Sequence, residues 1–350
     1  MAAGPPSQPD PEGTNLDKLD ITVVGGGVIG LWQALTLASR GHAVCLHEAA
    51  AEAQSGAASR VAGAMLAPDC ESESSEPIIR QLGVRGLELW CRLDPSLAVR
   101  GTLVLAAGRD EPELRRFARM TQGHRLLDHT EMARLEPSLS TRFHSGLFFA
   151  DEAHMAPRTA IGGLIAALRR RGVELRFSSP VAEPLWLAAP AGGLVIDCRG
   201  LGARGARPGL RGVRGEMMVV RAPGVSLSRP VRLLHPRFPI YIVPWGEDDY
   251  MIGATMIESE SLANVTVRSA VELMNAACAV DPGFLEARAV ELSAGVRPAF
   301  DDNIPRIGLG GKCISVNGAY RHGFLLAPAL AEIVADHLEL GRPVPPELAA

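Results

Sequence analysis

An α/β fold is predicted, with a parallel strand–helix–strand core that the start of the chain opens and its end rejoins, and a mostly antiparallel sheet inserted between. Three observations predict it. Residues 21–48 read as strand, helix, strand in the parallel manner; residues 213–256 carry strands with only short connections; residues 313–341 return to a strand followed by a helix.

The opening unit is the most informative. Ile21-Thr22-Val23-Val24 is a β-branched apolar run of the kind that fills a buried parallel strand. Gly25-Gly26-Gly27-Val28-Ile29-Gly30 follows at once and fits G-x-G-x-x-G. A helical pattern with Ile29, Leu31, Leu35 and Leu37 runs to Arg40, and Gly41 stands where a helix end favours glycine. Ala43-Val44-Cys45-Leu46 is a second strand, ending in Glu48. Gly25 suits the tight turn, Gly27 the approach of backbone to a pyrophosphate, and Gly30 close helix–strand packing. Free N–H groups at the helix start, around Val28 and Ile29, favour an anion. Glu48, 18 residues after Gly30, is placed to accept hydrogen bonds from a ribose, and its charge would repel a 2′-phosphate. This order predicts a dinucleotide site for NAD or FAD rather than NADP.

The chain of 350 residues suffices for one large or two interleaved domains. A net charge of −4 with scattered Lys and Arg argues against nucleic acid or an acidic membrane surface as partner. The six cysteines at positions 45, 70, 91, 198, 278 and 313 show no C-x-x-C and no metal spacing, so they read as core thiols in a reducing cytoplasm, with no metal site. Residues 1–19 are rich in Pro, Gly, Asp and Ser and are expected to be a disordered tail. No stretch approaches the ~18 apolar residues that span a bilayer.

The remaining elements follow in order. Residues 55–66 are small, so backbone around Ala58, Ser59, Gly63, Ala64 and Met65 can lie close to a flat ligand. Residues 69–76 are acidic and serine-rich and are expected to be a solvated loop. Helices are expected over 78–93, 111–120 and 131–135, with strands at 101–106 and 146–149. Pro157 opens a helix ended by Gly172, and 173–177 returns as a strand. Residues 194–198 form a strand running into Gly200, a second place for backbone to approach a ligand. The inserted sheet is expected from 216–220, 231–234, 239–243 and 250–255, with 246–249 as a hairpin loop and 267–280 as an amphipathic helix beside it. Residues 313–316 form a strand, 317–323 a glycine-bounded turn, and a helix is expected from about Pro328 to Leu340, with Gly341 past its end.

Three segments together resemble the D-amino-acid oxidase superfamily of FAD enzymes: the glycine loop with Glu48, Gly295-Val296-Arg297-Pro298-Ala299-Phe300-Asp301-Asp302-Asn303-Ile304-Pro305-Arg306-Ile307-Gly308, and residues 318–328. Gly63-Ala64-Met65-Leu66-Ala67-Pro68, Tyr241-Ile242-Val243-Pro244, Gly253-Ala254-Thr255-Met256 and Tyr320-Arg321-His322-Gly323-Phe324-Leu325-Leu326-Ala327-Pro328 are most similar to the glycine oxidases of thiamine biosynthesis. The resemblance spans most of residues 20–341. It implies a Rossmann-like FAD-binding domain from 20–85, 150–205 and 295–345, with a substrate domain from 86–149 and 206–294. FAD is implied at Gly25, Gly27, Val28, Ile29, Gly30, Glu48, Ala58, Ser59, Gly63, Ala64, Met65, Val181, Gly200, Ala319, Tyr320, Arg321, His322, Gly323, Phe324 and Leu325. The substrate carboxylate is implied on Arg297 and Arg321, with Tyr241 near the same group. Two positions depart from the pattern: Trp245 stands where an arginine is common and Arg199 where a threonine is usual.

The residue chemistry agrees with that implication. Pro298 forces Arg297 into extended geometry, so its side chain leaves a stiff backbone. A guanidinium binds a carboxylate through two parallel hydrogen bonds, fixing orientation as well as charge. Arg321 lies just before a helix N-terminus, whose positive end would stabilise an anionic reduced flavin ring. His235 and His322 belong to no metal-spaced set and read as structural side chains. The implied activity is oxidation of glycine, or another small primary or secondary amino acid, to the imino acid, with O2 reduced to H2O2 and iminoglycine supplied for the thiamine thiazole. A sarcosine or D-amino-acid oxidase or dehydrogenase, a tRNA-modifying flavoprotein and a non-catalytic dinucleotide-binding sensor remain open alternatives, as does a homo-oligomer.

Overall fold

The structure, a computed structural model, describes residues 18–52, 55–235, 239–246 and 248–350. The expected tail therefore lies outside the described residues except for positions 18 and 19, as does Glu247 of the expected hairpin loop.

Two large sheets divide the chain, beside a short antiparallel pair of Met65–Leu66 with Ala153–His154. In the first, Asp20–Val24 lies between Ala43–His47 and Leu194–Asp197, both parallel to it; Glu174–Arg176 extends one side. Cys313–Asn317 pairs parallel to Leu194–Asp197 on the other side, and Arg306–Gly310 closes that edge antiparallel. Its apolar strands pack against the helices Val28–Ser39, Pro77–Leu93, Pro157–Arg170 and Gly323–Leu340, in a core that includes Val23, Leu46, Ile196, Leu31, Trp90, Leu164 and Leu326.

The second sheet has eight strands in the order Arg288–Ala299, Arg211–Arg221, Asp249–Gly253, Ile240–Pro244, Val231–Leu234, Thr102–Ala106, Gly146–Phe149, His124–Leu127. All its pairs are antiparallel except Val231–Leu234 with Thr102–Ala106. Strand alternation sorts its side chains onto two faces. Met218, Val220, Ile242, Tyr250 and Ile252 point to one face, into a core shared with the helix Val267–Val280. Met217, Val219, Val243 and Met251 point to the other, where Val61, Met65, Tyr241 and Trp245 pack on them. The second face meets the small-residue segment after Glu48.

Three expectations change. Residues 69–76 are not simply a solvated loop: Pro68–Glu71 is a helical turn with Cys70 fully buried. The last helix starts at Gly323, five residues before Pro328, which lies inside it. A proline there leaves the carbonyl four residues earlier without its helical donor. That carbonyl belongs to Phe324, and the Trp90 indole N–H donates to it at 2.7 Å. The strand Arg288–Ala299, unforeseen in the pattern, runs across the expected 294/295 boundary and pairs with Arg211–Arg221 along its length.

Candidate active site

The nucleotide end is built from backbone. Gly25 has φ +111°, and a Cβ there would stand 2.5 Å from the Cys198 carbonyl oxygen. A Cβ on Gly30 would overlap the Gly25 carbonyl oxygen, so both glycines are required by the protein itself. Gly27 is different: a Cβ would meet nothing nearer than Ser59 Oγ at 3.6 Å, which leaves its side of the loop open to a ligand. The Val28 N–H, at the start of Val28–Ser39, faces Ser59 Oγ at 3.4 Å, and Ala58 and Ser59 open a short 3-10 turn beside it. Glu48 accepts from the Gly26 N–H at 2.5 Å and from the Ala50 N–H at 2.8 Å. Its carboxylate thus closes the loop at the position expected for the ribose.

A second helix start converges on the first. Ala319, Tyr320, Arg321 and His322 form the turn into Gly323–Leu340, and a Cβ on Gly323 would lie 3.6 Å from Val28 Cγ1. Tyr320 has φ +49°, and its N–H donates to the Pro298 carbonyl at 2.9 Å. Ala299 and Ala319 form a bridge beside it. This clip holds the Arg297–Pro298 segment against the turn that carries Arg321. Gly200 joins the same junction: Asn317 Nδ2 donates to its carbonyl at 2.9 Å.

Arg297 and Tyr241 share the sheet face that meets residues 61–65. Gly215 makes room for the Arg297 guanidinium, since any Cβ there would overlap it. Arg297 Nη1 donates to the Thr255 carbonyl at 3.2 Å, and among the described residues it has no carboxylate partner. Tyr241 lies against Gly63, where a Cβ would come within 2.6 Å of its ring. Burial raises the Tyr241 phenol, while the Arg297 guanidinium, which hydrogen-bonds to it, acts in the opposite direction.

Arg321 is held differently. Its Nη2 lies 2.7 Å from Glu71 Oε2 and donates to Ser74 Oγ at 2.8 Å. Glu71 Oε1 is also 3.7 Å from Arg232 Nη1, and Glu71 Oε2 is 3.7 Å from His322 Nδ1. Burial alone would raise the Glu71 carboxyl, but Arg321, His322 and Arg232 together bring it down to about 2. Burial pushes the His322 imidazole down to about 4, so it is neutral at pH 7. The turn that carries Glu71 is anchored from below: the Cys70 N–H donates at 2.7 Å to buried Glu152, whose carboxyl burial raises to about 8. Arg321, His322, Tyr320, Met256, Arg232 and Glu73 line a cleft of about 470 Å³.

Several expected residues serve packing with their side chains. Phe324 stacks on Trp90 at 6.1 Å, and the Leu325 side chain fills the space left by Gly83 of Pro77–Leu93 while its carbonyl fills that left by Gly86. Only their backbone N–H groups, at the helix start, can face a ligand. Val181 packs with Val24, Leu185 and Val195, over the two central strands of the parallel sheet. Arg199 turns onto Asp197 at 2.9 Å, and Trp245 joins the apolar face with Met65 and Tyr241. Glu71, Arg232 and Met256 were missed as site residues. The available signals were the acidic run directly after the Gly63–Pro68 motif, for Glu71, and the Gly253–Met256 motif, for Met256.

Residues 20–337 match the family model of FAD dependent oxidoreductases. The chain belongs to that family. It is 49% identical over 326 residues to a Rhizobium etli protein named as the thiamine biosynthesis oxidoreductase ThiO, covering 92% of this chain and 98% of that one. The crystal structure of glycine oxidase from Geobacillus kaustophilus superposes with a TM-score of 0.78 at 24% identity, covering 93% of this chain and 96% of that one. A second neighbour, the L-α-glycerophosphate oxidase of Mycoplasma pneumoniae with FAD bound, has a TM-score of 0.74 at 18% identity, over 92% and 95% of the two chains. The protein is an FAD-dependent oxidoreductase of mixed α/β fold. Its residues fit the cofactor: Gly27 has an open side, the two helix starts meet at Val28 and Gly323, and Gly63 lies under Tyr241, so backbone rather than side chains faces the ligand at each.

Proposed function

We propose that the protein oxidises glycine, or another small amino acid, to the imino acid while O2 is reduced to H2O2, and that it supplies iminoglycine for the thiazole of thiamine. The observation that carries this reading is Arg297: a guanidinium with no carboxylate partner among the described residues, hydrogen-bonded to Tyr241, whose ring lies against Gly63. The likeness to ThiO over nearly the whole chain supports the biosynthetic role.

FAD, when bound, supplies the two-electron acceptor and passes the pair to O2. The chain's own residues bind and orient. Gly25, Gly27 and Gly30, with Val28 and Ile29 at the helix start, would hold the pyrophosphate, and Glu48 the ribose. Ala58, Ser59, Gly63, Ala64 and Met65 would line the ring on one side, and the 319–323 turn would present a positive helix end on the other. Arg297 fixes the substrate carboxylate by two parallel hydrogen bonds, with Tyr241 donating beside it, so that Cα–H has one orientation. Arg321 flanks this pocket from the cleft side. The substrate's C–N bond becomes C=N with loss of one hydride and one proton, and no protein base is required if the amine enters neutral.

Glycine, sarcosine and D-alanine, added separately to the purified yellow protein, test the reading. Flavin bleaching without air and peroxide formation in air are expected with glycine. Bleaching by D-alanine or sarcosine alone would move the assignment to that substrate, and no bleaching by any amine would overturn it.

A further inference from the structure

We propose that Glu71 is a specificity-determining residue: it takes up the charge of Arg321 where the cleft adjoins Tyr241 and Arg297, so that Arg297 is left as the carboxylate anchor and amino acids that carry a second carboxylate are rejected. This rests on the amino-acid oxidase reading and deepens it.

The two arginines nearest the proposed substrate differ in their partners. Arg297 faces a backbone carbonyl and a phenol, and no carboxylate among the described residues reaches it. Arg321 is paired with Glu71 at 2.7 Å and fixed further by Ser74. Glu71 cannot swing away easily, because its helical turn is tied at the two residues before it. Asp69 accepts from Arg80 Nε at 2.6 Å, and the Cys70 N–H is held by Glu152. The other two arginines lining the cleft are matched as well: Arg232 lies 3.5 Å from Glu73 and 3.7 Å from Glu71, and Arg116 lies 2.7 Å from Glu73 and 3.0 Å from Glu113. A second substrate carboxylate entering here would find its cations already neutralised and two glutamates beside it. Like charges in a partly desolvated cleft repel strongly, which selects against such a ligand rather than for its competitor.

Acetate and malonate serve as probes, because they carry one and two carboxylates and no oxidisable amine. Their binding to the FAD-loaded enzyme is read from the perturbation of flavin absorbance. Wild type should bind acetate more tightly than malonate. Glu71→Gln should raise the malonate-to-acetate affinity ratio by about tenfold or more, since it frees one bidentate cation. Arg321→Met should weaken both acids, because Glu71 is left unpaired. The double variant Glu71→Gln/Arg321→Met should return acetate affinity to within about threefold of wild type, as expected for two coupled charges.

An unchanged ratio in Glu71→Gln would overturn the proposal. If Glu71→Gln does not fold, the double variant decides: acetate binding as weak as in Arg321→Met alone would make Arg321 an anchor in its own right. Failure of the underlying reading has a separate signature. In that case neither acid perturbs the wild-type flavin, and Arg297→Met changes nothing.

Discussion

The nucleotide end and the carboxylate end of the site are made of different materials. Around Gly25, Gly27 and Gly30 the fit is set by backbone and by the absence of side chains, with Glu48 as the one charge turned onto the loop. Around Arg297, Arg321, Glu71 and Arg232 it is set by where positive charge is matched and where it is left unmatched. A contact made of backbone tolerates almost no change, since the clash is with atoms that cannot rotate away. A contact made of charge responds in degrees. The first end should therefore fail abruptly and the second gradually.

The largest effect is expected at Gly30. Gly30→Val places side-chain atoms in the Gly25 carbonyl and should cost about 3 kcal/mol or more of stability, with no FAD retained. Gly27→Ala sharpens the contrast: its Cβ meets no protein atom closer than 3.6 Å, so the apo-protein should melt like wild type yet lose FAD. Equal melting losses in the two variants would break the distinction between protein-packed and ligand-facing glycines. Next comes Arg297→Lys, which keeps the charge but loses the planar fork. It should lower kcat/KM for glycine by about 2–4 kcal/mol, roughly thirtyfold to a thousandfold, with normal flavin content. Near-normal kcat/KM would shift the anchor to Arg321.

Glu48→Ala should weaken FAD retention by roughly tenfold in a dialysis measurement, since it removes acceptors from the ribose position and from two backbone N–H groups. The smallest effect concerns Glu152. Its carboxyl is raised to about 8 by burial, so between pH 6.5 and 8 the folded chain holds a proton that the unfolded chain has released. Stability then falls as pH rises through that window. His154 and His322 are both lowered to about 4 by burial, so they are neutral in the fold while the unfolded chain still binds part of their protons near pH 6.5; they oppose the Glu152 slope at the low end of the window and fade towards pH 8. Glu152→Gln should flatten the decline in Tm from pH 6.5 to 8; an unchanged slope would assign it to another group.

Legibility in the sequence follows the same division. The glycine loop, the second strand and Glu48 are local, and local chemistry dictates them. The helix over Pro157–Arg170 and the helix Val267–Val280 were readable for the same reason: one has proline at its start and glycine past its end, the other clear amphipathic spacing. Pro328 misled because the cure for its missing hydrogen bond comes from Trp90, more than two hundred residues away. The strand Arg288–Ala299 was hidden by its pattern: its first half is exposed on both faces, and Gly295 and Pro298 interrupt the rest. Its pairing is supplied entirely by the partner strand. Arg297 and Arg321 were legible as residue types in motifs, but that one is paired and the other is not depends on Glu71. That acid sits on the short helical turn whose Cys70 is buried and held by Glu152.

The same strand has a mechanical consequence. Arg288–Ala299 is laced to Arg211–Arg221 for nearly its whole length, then passes its last residues to the turn at Ala319 and Tyr320. It acts as a strut, rooted in one sheet and pinned to the other. A strut under a ladder of hydrogen bonds does not hinge, so the span between Arg297 and the converging helix starts is of fixed gauge. The distance from Arg297 to those helix starts is therefore set by backbone and not by side-chain rotamers.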